Sequence, residues 1–150
     1  MMARRTFLGF AVASLAAPPL VADAPQPTAL RRIGVLSNAF PSSGASSLDA
    51  FRRGLRELGW IEGENVAIEY RFAEGHPERI PRLVDELLSA NVDVIVVSGP
   101  RAIEAAKKAT STIPIVFVLL IDPTTLGFVR SLARPGGNMT GVSFIGEELN

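Results

Sequence analysis

The sequence predicts an α/β fold, a parallel sheet with helices on both faces in the flavodoxin-like strand order 2-1-3-4-5. Three observations predict it. Short apolar, β-branched runs recur along the chain, at Ile33–Ser37, Asp93–Ser98 and Ile115–Ile121. Between them lie segments whose apolar residues return every three or four positions, the period of a helix face. The resulting β-α-β-α-β-α-β-α-β alternation argues for parallel strands joined by helical crossovers.

Ile33-Gly34-Val35-Leu36-Ser37 reads as the first strand, placed at the centre of the sheet. Pro41 to Ser47 is a Ser/Gly/Pro loop. Leu48, Phe51, Leu55 and Leu58 then mark one face of a helix that Gly59 ends, with Trp60 as the apolar residue just past the glycine stop. Asn65 to Phe72 alternates, with Val66, Ile68 and Tyr70 on one side and Ala67, Glu69 and Arg71 on the other. That pattern fits a half-exposed strand at the sheet edge. Pro77 and Glu78 suit a first helical turn, and Ile80, Leu83, Val84, Leu87 and Leu88 form the buried face behind it. Asp93–Ser98 is a central buried strand. Gly99-Pro100 opens a helix whose Ala102, Ala105, Ala106 and Ala109 allow close approach to a sheet, and Lys107 and Lys108 sit near its C-terminal end. Ile115–Ile121 is a further buried strand, stopped by Asp122-Pro123. A short helix is expected near Leu126 to Ala133, a turn at Pro135–Asn138, and a fifth strand at Thr140–Phe144.

The N-terminus reads as an export address. Arg4 and Arg5 precede an apolar stretch, Phe7 to Ala17, of 11 residues. A bilayer span needs roughly 20, so this is the h-region of a signal, and Ala3–Leu8 resembles a twin-arginine motif. The expected organisation is a signal over 1–24, a leader over 25–31, a folded lobe over 32–146 and the start of a crossover at 147–150. Without the first 24 residues the chain carries 13 basic and 14 acidic groups. Such a balance supplies no electrostatic attraction to nucleic acid, and no direct membrane insertion of the mature chain is expected.

The residue inventory excludes several chemistries. There is no cysteine, hence no disulfide framework, thiolate metal site or cysteine nucleophile. The one histidine, His76, precedes Pro77 in a loop and reads as a surface or capping residue. No G-x-G-x-x-G follows the first strand, and no G-x-x-x-x-G-K-[ST] occurs. Gly141-Val-Ser143-Phe-Ile-Gly146 is one residue too long for a G-x-S-x-G elbow. No catalytic residue, metal or cofactor is therefore expected. Parallel sheets of this kind seat ligands outside the carboxyl ends of their strands. The candidate ligand-binding residues are accordingly Ser37 and Asn38, then Ser98, Gly99, Pro100, Arg101 and Ala102, then Asp122. The helix start at Gly99 offers N–H groups to an anionic group, with the Ser37 and Ser98 hydroxyls beside it. Arg101 has two readings, pairing with a solute carboxylate or extending into solvent. For Asp122-Pro123 the alternative reading is a turn stop.

Four segments carry a resemblance. They are Phe51-Arg-Arg-Gly-Leu-Arg-Glu-Leu-Gly59-Trp-Ile-Glu-Gly-Glu-Asn65-Val-Ala-Ile-Glu-Tyr-Arg71, Val92-Asp-Val-Ile-Val-Val97, Ala109-Thr-Ser-Thr-Ile-Pro-Ile-Val-Phe117 and Ser131-Leu-Ala-Arg-Pro-Gly-Gly-Asn138-Met-Thr-Gly141. Together they resemble the periplasmic substrate-binding proteins of the ABC-transporter family that includes tryptophan- and tyrosine-binding members. The resemblance implies a two-lobed type I binding protein that closes on a solute, here represented by its N-terminal lobe, as a fragment or truncated gene would give. It implies a periplasmic protein, a small organic solute such as an amino acid, and an ABC permease as membrane partner. It also implies that the strand-end loops line the solute cleft. The sequence departs from the family at Arg101, Ile121 and Leu126, each adding bulk near that cleft. The competing readings are a ligand-sensing lobe of a receptor or regulatory protein and an exported enzyme of the same fold.

Overall fold

The computed structural model describes residues 30–120, 122–131 and 135–144. The segments read as the export signal and the final crossover lie outside the described residues, as does Ile121. Five strands, β1 (Arg31–Ser37), β2 (Val66–Phe72), β3 (Val94–Ser98), β4 (Ile115–Leu119) and β5 (Met139–Ser143), form one sheet in the order β2-β1-β3-β4-β5. All four pairings are parallel. The first strand is interior, between β2 and β3, with β3 rather than β1 at the middle of the five, and the alternating strand is an edge, as its pattern predicts.

Three helices connect the first four strands: α1 (Ala45–Glu57), α2 (Ile80–Ser89) behind a single 3-10 turn at Pro77–Arg79, and α3 (Pro100–Ala109). The stop of α1 follows from Gly59, whose φ of 84° no side-chain-bearing residue holds cheaply. Its N–H donates to the Arg56 carbonyl at 3.0 Å, and the Trp60 N–H donates to the Leu55 carbonyl at 2.8 Å. These two bonds satisfy the last carbonyls of the helix in a Schellman arrangement. Asn65 then ties the loop down. Its Oδ1 accepts from the Ile61 N–H at 2.7 Å and its Nδ2 donates to the Gly59 carbonyl at 2.8 Å.

The main core lies between the sheet and the α2–α3 pair. Leu36, Ile95, Val97, Ile115 and Phe117 from the strands meet Leu83, Leu87, Ile103 and Ala106 from the helices, all buried. Each fully buried Leu or Ile there contributes about 1.5–3 kcal/mol over leaving it exposed. Gly34 has a packing reason: a Cβ built on it would stand 3.1 Å from both Leu87 methyls, so glycine lets α2 sit close to β1. The opposite face is different. Helix α1 has no buried residue. It lies against the β1 side of that face, where Leu48 and Phe51 approach Val35 and Phe72. Beyond it Val118 on β4 and Val142 on β5 are 39% and 52% exposed.

The expected helix from Leu126 to Ala133 does not form among its described residues. Pro123–Gly127 is a run of turns and Phe128–Arg130 a run of bends. Gly127 adopts φ 67°, which breaks helical continuity at the second position of the expected segment. The Lys107 ammonium then caps the freed Gly127 carbonyl at 2.8 Å.

Candidate functional site

At the carboxyl ends of β1 and β3 the chain leaves a cleft of about 340 Å³ between α1 and the sheet. Its floor is built by register: Ser37 and Ser98 are paired neighbours on β1 and β3, and Ser98 pairs with Val118 on β4. Strand alternation therefore puts Val35, Val96 and the two serines on the same face as α1. Leu48 and Phe51 form the α1 wall, with Gly44 and Ser47 at the helix start and Phe72 from β2 beside them. Among the described residues no charged side chain lines the cleft.

The polar equipment is small and defined. Ser98 Oγ donates to Ser37 Oγ at 3.2 Å, and Ser37 Oγ also accepts from the Ala39 N–H at 3.1 Å. A serine hydroxyl offers one proton and two lone pairs, so Ser37 keeps its proton and Ser98 its lone pairs for a third group. The arrangement can bury an apolar moiety against Phe51, Phe72 and the valines while hydrogen-bonding one polar atom. A full charge would find no ion partner there. Helix α1 starts at Gly44 without a side-chain cap and with no acidic residue in its first turn. Its first N–H groups are left for the loop or a ligand.

The structure brings Ser37 and Ser98 together at this site and disperses the other candidates. Asn38 is exposed in the following bend, where its carbonyl accepts from the Gly75 N–H at 2.9 Å. Gly99 caps α3 with φ 89° and ψ 142°, and Pro100 occupies the first helical turn. Ala102 is buried in the core against α2 and the sheet, facing away from the cleft. Arg101 lines a separate groove with Pro81 and Asp85 of α2 and Glu104 and Lys108 of α3. Asp122 makes a turn: its carboxylate accepts from the Thr124 N–H at 2.8 Å and hydroxyl at 2.6 Å. Those two donors hold the Asp122 carboxyl below the ordinary carboxylate range. The cleft residues absent from the sequence reading as a lining are Gly44, Ser47 and Phe72, together with Leu48 and Phe51. The last two were visible as a helix face, but periodicity alone does not say that this face looks onto an open cleft.

A second groove, about 370 Å³, lies by Trp60 beyond the C-terminal end of α1, lined by Arg52, Arg56 and Glu62. Arg52 stacks over the Tyr70 ring at 4.9 Å and donates to Glu62 at 3.1 Å, so its charge is already engaged. This groove sits at the amino-terminal side of the sheet, away from the strand ends where such folds seat ligands. Among the described residues no helix is long and apolar enough to cross a membrane.

Comparison with known proteins agrees with this architecture. The family of ABC transporter substrate binding proteins matches residues 39–149. A tyrosine-binding protein of Clostridioides difficile is 32% identical over 101 residues, 65% of this chain and 29% of that protein. Among solved structures, an ABC domain in complex with L-Trp from Streptococcus pneumoniae superposes with a TM-score of 0.69 at 28% identity, over 77% of this chain and 39% of that one. A conserved domain protein from Vibrio cholerae gives 0.71 at 30% identity with the same coverage. The ligand-free, open form of a substrate-binding protein with adhesive properties from Clostridium difficile gives 0.70 at 26% identity, over 76% of this chain. The chain thus spans well under half the length of these relatives. With the family matched across most of its length and the parallel sheet shared with solved members, the chain belongs to the ABC transporter substrate-binding proteins.

Proposed function

We propose that the chain supplies one solute-binding lobe of an extracytoplasmic component of an ABC importer. It captures a small organic solute, an amino acid with an apolar side chain in the first instance, for delivery to a membrane permease. The observation that carries this reading is the uncharged cleft at the strand ends, in which the Ser37–Ser98 hydroxyl pair faces a wall made by Phe51 and Phe72. Such a site suits recognition of a polar group beside an apolar body. The side chains of the tyrosine named for one relative and of the tryptophan held by another have that chemistry, while the charged ammonium and carboxylate of either amino acid would face the open side of the cleft. The basic-then-apolar segment over 1–24 acts as a twin-arginine-type export signal, giving a periplasmic protein, and 147–150 begins the crossover to a second lobe. In this reading the chain performs no catalysis and uses no cofactor.

One open lobe leaves much of a ligand in water, whereas binding sites normally bury 70% or more of a small ligand. Affinity of this chain alone is therefore expected near millimolar, about 4 kcal/mol. Calorimetry with the aromatic and aliphatic amino acids tests the proposal. Weak, saturable heat from apolar amino acids that is reduced by Ser98→Ala supports it. Micromolar binding would overturn the single-lobe reading, and absence of binding for every amino acid at tens of millimolar would overturn the solute class.

A further inference from the structure

Helix α1 is seated unlike the other two. Helix α2 buries four residues and α3 three, so the core fixes where they lie. Helix α1 buries none, and an element with little buried apolar area is held by whatever specific contacts it makes. Its wall residues Leu48 and Phe51 only approach the sheet. The defined contact is one residue on, at Arg52. Its guanidinium carbon stands 4.9 Å from the centre of the Tyr70 ring. Its Nε donates to the Tyr70 hydroxyl at 2.9 Å and to Glu62 Oε2 at 3.1 Å, and that carboxylate oxygen also accepts from the Tyr70 hydroxyl at 3.4 Å. Glu62 belongs to the loop that Asn65 ties down. On β2, side chains two apart share a face, and Tyr70 stacks on Phe72 with ring centres 6.3 Å apart and planes within 4°. Phe72 lines the serine cleft, whereas Arg52, Tyr70 and Glu62 do not.

We propose that Arg52 is a positioning residue for solute binding: it clamps α1 to Tyr70 and so sets the spacing between the Phe51 and Phe72 walls of the cleft. The inference rests on the solute reading of that cleft and adds a residue that touches no solute. An isolated exposed ion pair contributes little. Here one guanidinium meets a ring, a hydroxyl and a carboxylate together, and its planar shape lets it lie on the ring while donating from its edge. The two walls depend on it in different ways. Phe51 precedes Arg52 on the same helix, so it shifts as α1 shifts. Phe72 follows through its stack with Tyr70. Arg56 supplies the contrast: one turn further and exposed, it lines the Trp60 groove and takes no part in the cluster.

Hydrogen exchange and NMR on the free chain, followed by titration with tryptophan, test it. In Arg52→Gln the α1 amides should exchange about tenfold faster or more, while the α2 and α3 amides in the same sample keep their parental rates. The amide signals of Ser47 and Phe72 should move, as should the ring signals of Tyr70, the one tyrosine in the chain. The tryptophan dissociation constant should rise about threefold or more, the scale on which a residue acts on a site through packed neighbours. Arg52→Lys keeps a cation over the ring and should recover part of the loss. Tyr70→Phe keeps both stacks but loses the hydroxyl, and should fall between the parent and Arg52→Gln. Arg56→Gln should behave as the parent. Unchanged α1 exchange in Arg52→Gln, protection lost equally in α2 and α3, an equal effect of Arg56→Gln, or unchanged affinity once α1 has loosened would each overturn the proposal. A parent chain that binds no amino acid would strike the solute reading instead, and the α1 exchange rates and the Phe72 signal would then decide the clamp by themselves.

Discussion

Three glycines with the same chemistry should respond in three different ways to replacement by alanine, because the space beside each differs. At Gly141 on β5 a Cβ would stand 2.2 Å from the Phe117 carbonyl oxygen and 2.5 Å from a Phe117 ring carbon. The oxygen belongs to the β4 backbone and cannot swing aside, so β5 must retreat by most of an ångström, and the β4–β5 pairing with it. Overpacking of well-fitted sites costs about 1–3 kcal/mol, and an immovable neighbour places Gly141→Ala at the top of that range. At Gly34 the neighbours are the Leu87 methyls at 3.1 Å and a Val92 methyl at 3.3 Å. A leucine end can shift by a few tenths of an ångström, so Gly34→Ala should cost about 1 kcal/mol. Gly54 lies inside α1 with nothing within 4 Å of its built Cβ. There alanine should stabilise by about 0.8–1 kcal/mol through helix propensity alone. Urea unfolding of the three variants, followed by far-UV circular dichroism, reads the order directly. Hydrogen exchange should report the Gly141→Ala loss first at Val142 and Val118. A Gly141→Ala protein as stable as the parent, or less perturbed than Gly34→Ala, would refute the packing of β5 described above.

Other outcomes follow from single contacts. Asn65→Ala removes both bonds that fix the loop after α1 and should lower stability by about 1 kcal/mol, while Asn65→Asp retains the acceptor for the Ile61 N–H and should lose less; urea midpoints decide between them. The Asp122 carboxyl is held low in the folded chain by Thr124, so its contribution is present above the unfolded carboxylate pKa and disappears as pH falls through the lower folded value. The Thr124 amide resonance should therefore move with acid below about pH 4, and Asp122→Asn should abolish that movement. Arg101 lines the groove between α2 and α3, not the serine cleft, so Arg101→Ala should leave solute affinity within error in a titration that Ser98→Ala weakens by about 0.5–1.5 kcal/mol.

Much of the architecture was legible because it is written in local patterns. The β-branched runs at Val94–Ser98 and Ile115–Leu119 became adjacent strands buried on the α2–α3 face, with β4 exposed on its other face at Val118, and the alternation of Val66–Phe72 marked an edge. Gly59 with Trp60 announced the end of α1 one turn in advance of any tertiary information. The helix expected after Leu126 failed because its apolar spacing is the same in a turn that buries Val129, and Gly127 decides between them through its backbone. Of the candidate site, Ser37 and Ser98 were found because they end neighbouring strands. Arg101 and Ala102 follow Ser98 closely in sequence, yet the helix rotates one toward a groove with α2 and the other into the core. Phe72 and Ser47 reach the cleft from distant segments, and only the register of β2 and the placement of α1 bring them there.

The central claim is that this lobe takes its solute in the uncharged cleft at the carboxyl ends of β1 and β3. Amide chemical-shift mapping of the isotopically labelled chain, titrated with tryptophan, tyrosine and leucine into the millimolar range, tests it most directly, since weak binding does not prevent detection. The account predicts saturable shifts clustered at Ser37, Ala39, Ser47, Phe72, Ser98 and Val118, with little change at Trp60 or Arg101. Shifts confined to the Trp60 groove or to the Arg101 groove, with the serine pair unmoved, would contradict it.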